Sequence, residues 1–359
     1  MKKKAAITGV GMIGAIGHDV ETACAALRCG IRRFGETSHT TLDPMTLEDI
    51  PVPASALTGI SDGYQGVGLY ARIGYHALED LLRYAKINKD DKAFWSKTRI
   101  VLCVSPTREN ELTTPEIDFN KALDRIVELS GVGIPAQNRF INENGHAAVL
   151  FAIEQVLQDM GQNKLDRALI LGVDSLVGKE ELLFYLDRLK SDEAAEGFSP
   201  GEAGAALLIE DETSARKRNA LVEGFITAVF THQAEKGRSS EENDLGAGLA
   251  GVVAKSLGVL SGVSSYYCDL NGEKQRAQEW GYAIPKIKMH TDHFPETILA
   301  PAESLGDTGA ASGAVAICAA IRSFVGNYNQ GNDILVWSSS DSGQVASAIV
   351  QMNAQGALP

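Results

Sequence analysis

Two stretches of the chain, Ala147 to Met160 and Thr308 to Phe324, have helical spacing yet are small or apolar on almost every side. A helix without a polar face has to be covered all round, as between two β-sheets. Strand-like runs that alternate with helical ones supply such sheets. In the first half these are a strand Thr98 to Val104, a helix Glu116 to Leu129, the first small-residue helix, a strand Arg167 to Val173, a helix Lys179 to Leu189 and a strand Ala205 to Ile209. The second half has a strand Leu221 to Phe230, a helix Leu245 to Leu257, a strand Ser264 to Leu270, a helix Lys274 to Gly281 and a strand Ile284 to Lys288. The second small-residue helix and strands Ile334 to Trp337 and Val345 to Val350 complete it. The small-residue helices hold equivalent places in the two halves, so the pattern predicts a duplicated α/β unit with two central helices. The acidic stretch Ser191 to Gly197 reads as a solvated surface turn, and a second acidic stretch, Ser239 to Asp244, precedes the helix Leu245 to Leu257.

With 359 residues, 44% of them hydrophobic, the chain has ample material for such a core. It lacks a run of about 18 apolar residues, so no membrane-spanning helix is expected. A formal net charge of -13 works against phosphate backbones and anionic lipid surfaces. Neither nucleic acid nor a membrane is therefore an expected partner. The five cysteines are scattered and form no C-x-x-C, and read as reduced, mainly buried thiols of a cytoplasmic protein.

Near the N-terminus, Gly9, Gly11 and Gly14 spell G-x-G-x-x-G after a strand-like run. In a dinucleotide site the third glycine lies in the first helical turn, and an acidic residue ends the next strand about 20 residues on. Here Ala15-Ile16-Gly17 follows, the first good N-cap is Asp19, and the predicted helix is Val20 to Arg28. No buried strand ending in an acid comes next. The run is read as a first strand and a Gly-rich loop, and no cofactor is expected. Lys2-Lys3-Lys4 precede this apolar stretch as in a secretory leader, but glycines dilute it and no A-x-A site follows.

Four stretches resemble β-ketoacyl synthases of the thiolase superfamily. Ala6-Ile7-Thr8-Gly9-Val10-Gly11 is similar to their first strand and loop, and Ala168-Leu169-Ile170-Leu171-Gly172-Val173-Asp174-Ser175 to a later strand. Phe198-Ser199-Pro200-Gly201-Glu202-Ala203-Gly204-Ala205 resembles their G-F-x-P-G-E-G-A entry. Gly306-Asp307-Thr308-Gly309-Ala310-Ala311-Ser312-Gly313 resembles their G-H-x-x-G-A-A-G helix start. The resemblance implies a thiolase-like fold, two similar halves in five α-β-α-β-α layers, near residues 1–215 and 216–359. It also implies dimerisation through a strand of the first half, as a homodimer or as a heterodimer with a related synthase subunit.

The catalytic positions depart from that family. Its condensing enzymes hold a cysteine nucleophile at the N-terminus of the first buried helix, where backbone N–H groups and the helix dipole lower its pKa and stabilise an oxyanion. His146 stands there, in Asn144-Gly145-His146-Ala147. Asn271 and Asp307 replace the two family histidines, Ala302 a lysine, and Ser340-Asp341-Ser342-Gly343 the Gly-Phe-Gly-Gly gating turn. The resemblance thus implies a non-catalytic protein acting through a partner: a synthase subunit, as for chain-length-determining subunits whose nucleophile is also replaced, an acyl carrier protein, or cargo of a secretion apparatus.

An alternative is an acyl-thioester-binding protein, acyltransferase or hydrolase with altered chemistry. His146 beside Asp307 would then act as a base, with Asn271 donating to an oxyanion. Against it, no serine or cysteine nucleophile is evident nearby, and a polar cluster filling a former pocket accounts for the same residues. His290-Thr291-Asp292-His293 offers possible metal ligands but precedes Pro295 and reads as a surface turn, so no metal is expected. His18, next to Asp19, and His76, in a helix around Ala71 to Leu82, have structural readings, and Cys24 and Cys29 read as packing.

Overall fold

The computed structural model describes residues 4–42, 49–106, 117–190, 196–238, 240, 244–260, 262–291, 294 and 297–353. In the first half, strand β1 (Ala5–Gly14) leads into helix α1 (Val20–Arg28), a hairpin β2 (Gly35–Leu42) and β3 (Asp49–Ala54), and helices α2 (Gly66–Tyr84) and α3 (Lys92–Ser96). Strand β4 (Thr98–Cys103), helix α4 (Phe119–Ser130), strand β5 (Arg139–Asn142), helix α5 (Ala148–Gly161), strand β6 (Arg167–Ser175), helix α6 (Lys179–Phe184), strand β7 (Glu202–Asp211) and helix α7 (Glu212–Lys217) follow. The second half comprises β8 (Gly224–Gln233), α8 (Ala247–Leu257), β9 (Ser265–Cys268), α9 (Lys274–Lys288), β10 (Ile298–Leu299), α10 (Ala302–Leu305), α11 (Ser312–Val325), β11 (Asp333–Ser339) and β12 (Gln344–Met352).

Strand order makes the duplication explicit. One half of the main sheet runs β5-β4-β6-β7-β1 and the other β10-β9-β11-β12-β8. Each has two parallel pairings at its outer edge and two antiparallel pairings inside. The halves join where Ala5–Ile7 of β1 pairs with 224–226 of β8. Helices α5 and α11 lie between the halves and contact strands of both, while α2 and α4 cover the outside of one and α8 and α9 the outside of the other. This is the five-layer α/β arrangement, and the all-round apolar character of the central helices follows from it: Val149, Leu150, Ile153, Val315, Ile317 and Ile321 are all buried.

Asp19 caps α1 by accepting from the Thr22 N–H at 2.8 Å, as the sequence predicts. Two expectations differ. The segment Ile284 to Lys288 is the end of α9, not a strand: Trp280, Ala283 and Ile287 form a buried helical stripe. Pro285 removes the N–H that would bond the Gly281 carbonyl, which lies at an exposed position where water can take its place. The Gly-rich run is strand throughout rather than a loop, paired with β7 as far as Gly14 against Ala203. Its glycines admit α2 and other neighbours: a Cβ on Gly11 would fall 2.3 Å from the Leu81 nitrogen and 2.5 Å from the Ala77 carbonyl oxygen. Most of the acidic stretch Ser191 to Gly197, and Ser239 and 241–243 of the other, lie outside the described residues, as do Asp292, His293 and Pro295 of the histidine-rich turn. No described helix is long and apolar enough to cross a membrane.

Candidate functional site

His146, Asn271 and Asp307 converge, although they come from three separate segments of the chain. His146 sits in the 3-10 turn Gly145–Ala147 that starts α5, at the mouth of the central layer, and is 6% exposed. Asp307 precedes the matching turn Gly309–Ala311 that starts α11, and is 4% exposed. The duplicated topology therefore aims the two central helix starts at one another. His146 Nε2 lies 2.8 Å from Asp307 Oδ1, which also accepts the Gly309 N–H at 2.8 Å. Asn271 follows β9 and donates from Nδ2 to Asp307 Oδ2 at 2.6 Å and to Glu273 Oε2 at 3.0 Å. Both amide hydrogens of Asn271 are thus taken, leaving none for an oxyanion.

The centre of the cluster is a residue that sequence reasoning missed. Arg276, on the buried side of α9 with a side chain 2% exposed, donates from Nη1 to Asp269 Oδ2 at 3.0 Å and to the Ser339 carbonyl at 2.7 Å. Its Nε bonds Glu273 Oε2 at 3.1 Å, and its Nη2 lies 3.1 Å from each ring nitrogen of His146 and 3.3 Å from Asp341 Oδ1. With Nε2 turned to Asp307 and the guanidinium nitrogen equidistant from both ring nitrogens, over the face of the ring, the imidazole is enclosed by the cluster. Two more arginines enclose the cluster. Arg188 bonds Glu273 Oε1 at 2.6 Å and Asp341 Oδ2 at 2.8 Å, while Arg238 bonds Asp341 Oδ1 at 2.6 Å, Glu279 Oε2 at 2.9 Å and the Ser339 carbonyl at 2.6 Å.

Electrostatics follows from this arrangement. Burial works against ionising Asp307, but the His146 ring, the Arg276 guanidinium and the Gly309 N–H outweigh it and hold the carboxyl well below the usual carboxylate range. Burial likewise opposes the charge on Asp341, and Arg276, Arg238 and Arg188 overcome it, so this carboxyl too is depressed. Glu273 is lowered against burial by Arg188, Arg276 and Asn271.

The start of α5 is closed as well. The Ala147 N–H, a donor of the kind that holds an oxyanion, is given to Ser340 Oγ at 2.9 Å, and Ser340 Oγ in turn donates to the Asn144 carbonyl. Ser340 and Asp341, in the turn between β11 and β12, are therefore tied into the cluster by hydrogen bond and ion pair. Ala302, the fourth sequence candidate, lies on α10 and presents a methyl group that adds no polar atom to it. Among the described residues no group of three or more His, Cys, Asp or Glu side chains is arranged to hold a metal ion. Four of the cysteines are buried and Cys29 is exposed at the end of α1. Burial pushes the Cys24 thiol up to about 12 and also raises Cys103, Cys268 and Cys318.

Solved ketosynthases have a similar arrangement of strands and helices. A ketosynthase from module 6 of the bacillaene synthase of Bacillus subtilis 168 superposes with a TM-score of 0.76 at 16% identity, over 98% of this chain and 72% of that one. The chain has the thiolase-like fold of the ketosynthases. The ishigamide ketosynthase/chain length factor matches this ketosynthase fold equally, with a TM-score of 0.76 at 16% identity, over 99% of this chain and 100% of that one. A chain from the AntDE:AntF assembly, a type II PKS acyl-carrier protein in complex with its ketosynthase, gives 0.77 at 13% identity, over 98% and 100%. No protein-family model matches the sequence, and no curated protein sequence matches it.

Proposed function

We propose that this ketosynthase-fold chain is non-catalytic and works by binding another protein. The observation that carries the reading is the Arg276-centred cluster: the place where the resemblance puts a nucleophile, two bases and an oxyanion hole holds groups that are bonded to one another. Thioester formation needs a nucleophile with a base in reach. His146 meets an arginine and a carboxylate instead. The altered-chemistry alternative requires His146 and an N–H of Asn271 to be directed at substrate, and the bonds of both residues to Asp307, with the guanidinium over the imidazole, oppose it.

The partner class we infer is a related synthase subunit, with an acyl carrier protein as a further binding partner of the pair. Likeness to a ketosynthase/chain length factor and to a ketosynthase assembled with its carrier protein supports this choice. Strand β5 offers a surface for pairing. It lies at the outer edge of the sheet and presents Phe140 at 44% exposure, so its outward main-chain groups can continue the sheet into a second subunit. Co-purification from the native host tests the reading. The double variant His146→Ala with Asp307→Ala should stay folded and keep its partners. If it folds but loses them, the former pocket is functional and the acyl-binding or hydrolytic reading replaces this one.

A further inference from the structure

We propose that a cavity lined by none of the cluster's residues binds a small aliphatic carboxylate. The cavity, of about 360 Å³, lies between α1, α11 and the β9–β10 edge of the sheet, within the volume range of small-molecule sites. Its apolar lining comes from Cys24, Leu27, Tyr267, Leu299 and Ala319. Three polar side chains of the wall satisfy one another: Ser264 Oγ accepts from Asn329 Nδ2 at 2.9 Å and donates to the Asp333 carbonyl, and Ser265 Oγ donates to Asn329 Oδ1. A ligand tail laid against them does not have to supply hydrogen bonds.

Charge at the mouth identifies the head group. Three charged side chains line the opening, Arg28, Arg32 and Glu303. Arg32 and Glu303 face each other at 3.8 Å. The Arg28 guanidinium stacks over Tyr328, 4.2 Å from the ring centroid, and has no ion pair among the described residues. On a chain of net charge -13 this is a local excess of one positive charge, held in place by an aromatic ring at the rim of a hollow whose wall is part apolar. An apolar tail with a single anionic head complements both features, and an arginine is well suited to a carboxylate.

Calorimetric titration of the full chain with octanoate at low ionic strength tests the proposal, with 1-octanol as the uncharged control. One saturable site is expected, weakened about fivefold in 1-octanol and in Arg28→Gln, since the pair is exposed. Ala319→Phe, which fills the cavity, should abolish binding. Arg28 is exposed, so Arg28→Gln keeps the test decisive if Ala319→Phe does not fold. Absence of octanoate binding to wild type, or binding unchanged by Arg28→Gln and equal for octanol, overturns the proposal.

Discussion

Arg276 Nη2 lies 3.1 Å from both ring nitrogens of His146. Equal distances place the guanidinium nitrogen over the face of the imidazole, which it covers. It cannot give up its charge, because Asp269, Asp341, Asp307 and Glu273 surround it and raise its pKa against burial. Each carboxylate of the cluster has an arginine, histidine or amide partner, and His146 is one member of the set.

Removing the central cation should therefore be costly. Arg276→Met leaves buried Asp269 without its counter-charge, while Glu273 keeps Arg188 and Asp341 keeps Arg188 and Arg238, and the unfolding free energy should fall by about 3–5 kcal/mol. Urea denaturation monitored by fluorescence measures this. A loss under about 1 kcal/mol would mean that the carboxylates find water or other partners.

Acid sensitivity has a defined sign. Asp307, Asp341 and Glu273 have folded-state pKa values below those of the unfolded chain, near about 4. Their contribution is fully present above about pH 5 and is lost as pH falls through the folded values, because the unfolded chain takes up the protons first. Stability should drop between about pH 5 and pH 2, and Asp307→Asn should make that slope shallower. An unchanged slope in the variant would show that Asp307 is not held ionised by the cluster.

His146→Cys alone should not restore condensation. The new thiol would lack the base-forming positions, which are Asn271 and Asp307, and the Ala147 N–H would still be bonded to Ser340. Catalytic groups act as a unit, so one member added to none of the others gives little. Turnover clearly above background would show that the site can open.

The fold was legible because the features that specify it are local or periodic. The small-residue helices announce burial on two sides, Asp19 announces the start of α1, and the convergence of His146, Asn271 and Asp307 follows from a resemblance whose scaffold motifs persist. Arg276 was not found, because an arginine on a helix is ordinarily read as solvated. A signal was present: Arg276, Trp280, Ala283 and Ile287 share one helical stripe, and a charge on a buried stripe demands partners. The same stripe extends through the segment misread as the strand Ile284 to Lys288, where a short apolar run does not separate helix from strand. The glycines of β1 are explained only by tertiary packing, Gly9 and Gly11 against α2 and its end and Gly14 against Leu305, which the sequence does not display.

That explanation can be checked. Gly11→Ala places a methyl group against the backbone of α2, and should destabilise the protein by about 1–3 kcal/mol without affecting any ligand. Thermal denaturation measures it, and a neutral result would mean that α2 can move away at no cost.

The central claim, that the His146 site is closed to acyl chemistry, is tested most directly by intact-mass measurement of the full chain after incubation with acyl-CoA or acylated carrier protein. The account predicts an unmodified mass at every time point. A stable acyl mass shift that maps to the peptide carrying His146 would contradict it.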